Sequence, residues 1–143
     1  MVLPPEVLSR AVVFVVALLV LLVAHQVGDH VLQTDRQALG KATRWRALAG
    51  HLASYHLTAA ALLVGTDALL RLPISGRGLA AGLAFSVITH AVLDRRWPVR
   101  AILRATGSPQ FAEATTPVNG LYVADQALHQ LALLVSALLI ATL

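Results

Sequence analysis

Residues 11–24 read AVVFVVALLVLLVA and residues 25–29 read HQVGD, and the junction between them decides the fold. The first part carries no polar atom in any side chain, which suits a helix whose solvent is hydrocarbon. The second sets His25 and Asp29 four residues apart, one turn along the same helical face. An apolar run preceded by Arg10 also resembles the core of a signal peptide, but no small-residue cleavage pattern follows it. The segment is therefore expected to persist as a helix over about residues 5–32, with Pro5 suited to its first turn.

Three further apolar segments lie downstream, over about residues 51–72, 78–97 and 121–143, set off by Pro73, Pro98, Pro117 and Gly120. Each is near the ~20 residues needed to cross a bilayer. Composition agrees: 57% of the chain is hydrophobic and 13% charged, against roughly 25% charged in an ordinary soluble domain. The expected fold is all-α, an integral membrane four-helix bundle running up-down-up-down as a single transmembrane domain over residues 1–143. Membrane lipid is the expected partner, and oligomeric state is left open. The net charge of +4 accompanies no basic helix or aromatic-basic surface, so nucleic acid is not an expected partner. With no cysteine, disulfides, thiolate metal sites and cysteine nucleophiles are excluded.

Eight of the Lys and Arg residues fall after the first and third segments, against three (Arg10, Arg71, Arg77) on the opposite side. The positive-inside rule then predicts the cytoplasmic membrane, with both long loops in the cytoplasm and both termini outside. Residues 33–50 read as a polar, basic loop with room for a short surface helix. Residues 95–120 read as a loop that is basic at first and then rich in Gly, Pro and Thr. Trp45 and Trp97 suit interfacial anchors.

Ionisable residues inside spans are costly, ~2.5–3.5 kcal/mol for an Asp at the helix centre, yet this chain repeats them. His25 and Asp29, His51 and Tyr55, His90 and Asp94, and Asp125 and His129 are each four apart. In an up-down-up-down bundle all four pairs reach the same membrane face. At ~1.5 Å per residue, His25, His90 and His129 rise ~20–22 Å from the opposite boundary, and the three aspartates ~26–28 Å. A histidine layer beneath a carboxylate layer follows. Imidazole and carboxylate together suit zinc, manganese or iron, and a bundle core is an established place for such a site. Asp29, Asp94 and Asp125 then serve as ligands or bases, His51 and Tyr55 as ligand and proton donor. Arg95 and Arg96 stand beside them for a substrate phosphate. The plainer reading pairs each Asp with its i+4 His as helix–helix glue.

Taken together, His25-Gln-Val-Gly-Asp29-His-Val-Leu-Gln33, His51-Leu-Ala-Ser-Tyr55, His90-Ala-Val-Leu-Asp94-Arg-Arg and Asp125-Gln126-Ala-Leu-His129 resemble the blocks of a family of small bacterial four-helix membrane proteins. That family is frequent in actinomycetes and classed as a domain of unknown function. Residues 106–111, TGSPQF, look like its third loop. The resemblance implies a fold and no activity. The layout is also similar, by analogy alone, to membrane-bound metal-dependent hydrolases. The expectation is a divalent-metal hydrolase acting on a lipid or lipid-linked phosphate. The alternatives are a metal or proton transporter and a non-enzymatic assembly or haem-binding component.

Overall fold

Why four stretches of this chain form long helices is visible in which faces they bury. A computed structural model describes residues 3–143, and among these residues there is no strand. Helix α1 spans Pro5–His30, with Pro5 at its start where the missing N–H costs nothing. It buries only Val13, Ala17, Leu21, Ala24, His25, Gly28 and Asp29, a stripe at three- and four-residue intervals. Its other face leaves Val15, Leu19 and Val23 more than half exposed. In water such a surface would drive aggregation, whereas in lipid it is the outside of the protein.

The short helix α2 spans Asp35–Gly40 and is closed by a reciprocal capping box between Thr34 and Gln37. Helix α3 spans Trp45–Leu70. It starts six residues earlier than the basic reading of residues 33–50 suggests, because Ala47 and Leu48 are buried and draw its first turn onto the bundle. Helix α4 spans Gly76–Leu93 and ends on the cap residue Asp94. The proline expected to stop this segment instead opens a new helix, α5, spanning Trp97–Ala105, because proline is well placed in a first helical turn. A short α6, Pro109–Glu113, follows within the expected loop. Helix α7 spans Gly120–Thr142, and the Asn119 side chain accepts from Tyr122 N–H at 3.0 Å.

Helices α1, α3, α4 and α7 are long and apolar enough to cross a membrane. They pack as a bundle in which α7 meets α1 and α4, and α3 meets the same two helices. Early α1 (Val13) lies with late α3 (Leu63) and late α7 (Ile140) in an apolar core, while late α1 and late α4 lie with early α3 and early α7. Against α7 the surface of α4 is stripped down. A Cβ added at Gly82 would stand 2.8 Å from the Ser136 carbonyl oxygen, so glycine alone permits this approach.

Candidate functional site

At the His/Asp end of the bundle, each of the four long helices contributes a histidine from its inward stripe. The rings of His25, His90 and His129 have centroids 4.5–6.1 Å apart, and His51 lies 5.1 Å from His90. His25, His51, His90 and His129 are all buried, as are Tyr55, Asp29 and Asp94. The i+4 spacing that put each pair on one helical face has therefore become a single polar cluster. Gly28 contributes by its size, since a Cβ there would press to 2.6 Å from the Tyr55 ring.

Within the cluster the donor atoms crowd without hydrogen-bonding one another in the usual way. Asp29 Oδ1 lies 3.0 Å from His51 Nε2, and Asp94 Oδ1 lies 2.9 Å from Lys41 Nζ. Neither contact has the alignment of a hydrogen bond, so both oxygens, ion-paired by distance, join Asp94 Oδ2 and His129 Nε2 as buried atoms with no aligned hydrogen bond. His51 Nε2 and His90 Nε2 approach to 3.0 Å. His129 is oriented from behind: its Nδ1 donates to the Asp125 carbonyl oxygen at 2.8 Å, which leaves Nε2 of the neutral ring with its lone pair facing the cluster. Two groups have donor atoms all within 4.8 Å of one another: Asp29 with His51 and His90, and His90 with Asp94 and His129. These groups could hold a metal ion, and His90 is common to both.

His25 and Asp125 stand outside those two groups. His25 is committed on both ring nitrogens, with Nε2 3.1 Å from Gln126 Oε1 and Nδ1 3.3 Å from the Tyr55 hydroxyl, and its ring stacks on His129. It positions neighbours rather than presenting a free lone pair. Asp125 is only partly buried and borders a cavity of about 130 Å³ that it shares with Asp29, Asp94, Lys41, Arg96 and Tyr122. A second cavity of about 200 Å³ continues past Arg96, Asn119 and Tyr122, so the carboxylate layer has a polar approach. His30 Nε2 and the Tyr122 hydroxyl meet at 2.7 Å beside it.

The two arginines expected at a phosphate part company. Arg95 lies over the Trp45 ring at 3.7 Å and donates from Nη1 to the Ala42 carbonyl oxygen, while its Nη2 is buried without a hydrogen-bond partner. Arg96 borders both cavities, on a left-handed backbone with φ 62° that is uncommon for a residue with a side chain. Burial pushes the Asp94 carboxyl up, but the His90 and Lys41 nitrogens beside it outweigh that and hold it below the usual carboxylate range.

The residue that sequence reasoning passed over is Lys41, the C-cap of α2, buried among the carboxylates. One signal pointed to it: it is the only lysine in a chain whose other ten basic residues are all arginine. His56, on another face of α3, holds it to α4 by accepting from Ser86 Oγ at 3.2 Å.

Fold and site together define a helical membrane protein with a buried His/Asp cluster at one end of its bundle. The chain belongs to the family described as Protein of unknown function (DUF3307), which matches residues 17–143 and so includes every cluster residue. No curated protein and no solved structure matches it.

Proposed function

We propose that the cluster is the metal centre of a membrane-embedded hydrolase acting on a lipid or lipid-linked phosphate. The observation that carries this reading is the convergence of buried nitrogen and oxygen donors, Asp29 with His51 and His90 and His90 with Asp94 and His129, each group within 4.8 Å, with no aligned hydrogen bond to the Asp29 Oδ1, Asp94 carboxylate or His129 Nε2 atoms. Nitrogen and carboxylate oxygen gathered at one point are a donor set that a divalent cation matches. Zinc, manganese or iron suits the nitrogen and oxygen donors; a bound divalent ion would supply an acidified water at neutral pH. Asp125, at the cavity edge, is positioned to accept a proton, and Gln126 reaches both it and His25. Arg96 borders the approach as the partner of a substrate phosphate, with Arg95 packed on Trp45 behind it. Tyr55 holds His25 in place through its hydroxyl, 3.3 Å from His25 Nδ1.

In this reading the helices cross the cytoplasmic membrane alternately up and down, with the cluster near the cytoplasmic leaflet and both termini outside. The eight-to-three division of Lys and Arg supports it. A C-terminal reporter active only in the cytoplasm would reverse the orientation.

The direct test is elemental analysis of detergent-purified protein, paired with thermal melts with and without a chelator. Bound transition metal and a chelator-sensitive melt are expected, with phosphate release from phosphatidic acid abolished by Asp125→Asn. A metal-free protein whose melt ignores the chelator would sink the metal centre. A metal-loaded protein inert toward lipid phosphates would sink only the hydrolase. A second reading has one observation in its favour: Lys41 already neutralises part of the carboxylate charge, so the cluster could act as helix–helix glue with no ion at all.

A further inference from the structure

The sole lysine of the chain sits where a second metal ion would. Lys41 Nζ is 2.9 Å from Asp94 Oδ1, 3.3 Å from His51 Nε2 and 3.8 Å from Asp29 Oδ1. It therefore touches two of the three residues in the Asp29, His51 and His90 group, but only Asp94 of the other. Two independent contacts hold it there. Gly40 packs so tightly on α3 that a Cβ would fall 2.7 Å from the Ala47 methyl, and Arg95 ties the next residue, Ala42, to the end of α4. The loop is fastened on either side of Lys41, and the side chain is only 10% exposed.

Chemistry explains why this one position is lysine in a chain that otherwise uses arginine. An ammonium is a compact point charge that can stand among several donor atoms, as a metal ion does. A guanidinium carries the same charge on a planar fork, so it can replace that charge but fits a flat, two-pronged partner better. We propose that Lys41 is the built-in cation of this cluster, filling the Asp29–His51 half so that the protein takes one divalent ion, held by His90, Asp94 and His129. The proposal rests on the metal-centre reading above and deepens it by fixing the ion's place and number. The charges favour one ion over two: Asp29, Asp94 and Asp125 offer three negative charges, Lys41 and the Arg96 that borders the same cavity return two, and one divalent ion brings the sum near neutral where two would make it strongly positive. A second divalent ion beside the ammonium would leave the cluster strongly positive in a low-dielectric bundle, which is unfavourable. Of the His90, Asp94 and His129 group Lys41 meets the Asp94 carboxylate alone, and His129 Nε2, with no aligned hydrogen bond, is left for an ion.

The experiment is a zinc titration of detergent-purified protein, with bound zinc per chain read by mass spectrometry for wild type, Lys41→Met and Lys41→Arg. Wild type is expected to saturate at one equivalent, Lys41→Met at two, and Lys41→Arg, which keeps the charge, at one. Wild type saturating at two overturns the proposal without needing any variant to fold. One equivalent in both wild type and Lys41→Met overturns it while leaving the metal centre standing. A second equivalent in Lys41→Arg also overturns it, because the charge would then not set the count. No zinc in any of the three overturns the metal centre itself, and this proposal falls with it.

Discussion

At the level of Val13, Leu63 and Ile140 the bundle is held by carbon, whereas at the level of His51, His90 and His129 its helices meet through nitrogen and oxygen. The apolar half is made of residues that gain from leaving water and from close packing, and its glycines let α4 settle on α7. The other half buries carboxylates inside or beside spans, each costing ~2.5–3.5 kcal/mol at a helix centre. A bundle selected for stability alone would extend the first half through the second. The contrast gives holding to one end of the molecule and, in the proposed reading, a metal site to the other, and each part can be broken separately.

The largest effect is expected at His90, because both candidate ligand groups contain it. His90→Ala should remove most bound metal, at least a ~100-fold loss of affinity if a ligand counts for more than the 10–100-fold typical of an orienting partner. The protein should still insert, since Ile88 and the other lipid-facing residues of α4 are untouched. Zinc retained at wild-type level in His90→Ala would mean that the nitrogen-rich half is not the binding half.

The opposite cut is smaller. Gly82→Ala places a methyl 2.8 Å from the Ser136 carbonyl oxygen and 2.5 Å from Ile140 Cγ1, forcing α4 and α7 apart at the apolar end. Overpacking of this kind typically costs ~1–3 kcal/mol. A lower melting temperature with unchanged zinc per folded chain is expected. Loss of zinc together with stability would show that the two ends are not separable.

Much of this contrast was legible in the sequence. Four i+4 pairs, late in the first and third segments and early in the second and fourth, are enough to bring His25, His51, His90 and His129 together when the helices alternate, because helix geometry turns spacing into depth. The overall helical class and the apolar stripes follow from the same periodicity. Lys41 was not legible in this way. Its position depends on Gly40 lying against Ala47 across a turn and on Arg95 reaching back to Ala42 from 53 residues further along the chain. No local pattern encodes such contacts. The division between Arg95 and Arg96 is hidden for the same reason: two adjacent arginines are equivalent on paper, and only the Trp45 ring tells them apart. The early start of α3 was masked by Arg44 and Arg46, which read as loop charge although Ala47 and Leu48 beside them are buried.

The smallest expected effect probes the border between the two halves, where His56 and Ser86 form a polar link deeper than the cluster. Ser86 Oγ donates to His56 Nε2 at 3.2 Å, while His56 Nδ1 donates to the Leu52 carbonyl oxygen at 2.9 Å, so the ring is fixed and its Nε2 depends on the serine. Ser136, equally buried, donates only to Ala132 of its own helix. Removing the first hydroxyl breaks a bond between helices; removing the second leaves every interhelical bond intact. Side-chain hydrogen bonds between membrane helices average ~0.6 kcal/mol and reach ~1.7 kcal/mol. Ser86→Ala is therefore expected to lower stability by about that average, and Ser136→Ala by less. A double-mutant cycle of Ser86→Ala with His56→Ala, read by thermal melts in detergent, should return the same coupling energy. Metal content decides which half owns the link. If Ser86→Ala melts lower but keeps its zinc, the link belongs with the apolar half as glue. If it loses zinc, the chemistry reaches through His56, whose ring lies 5.6 Å from His90, and the border between the halves sits one turn deeper than His90.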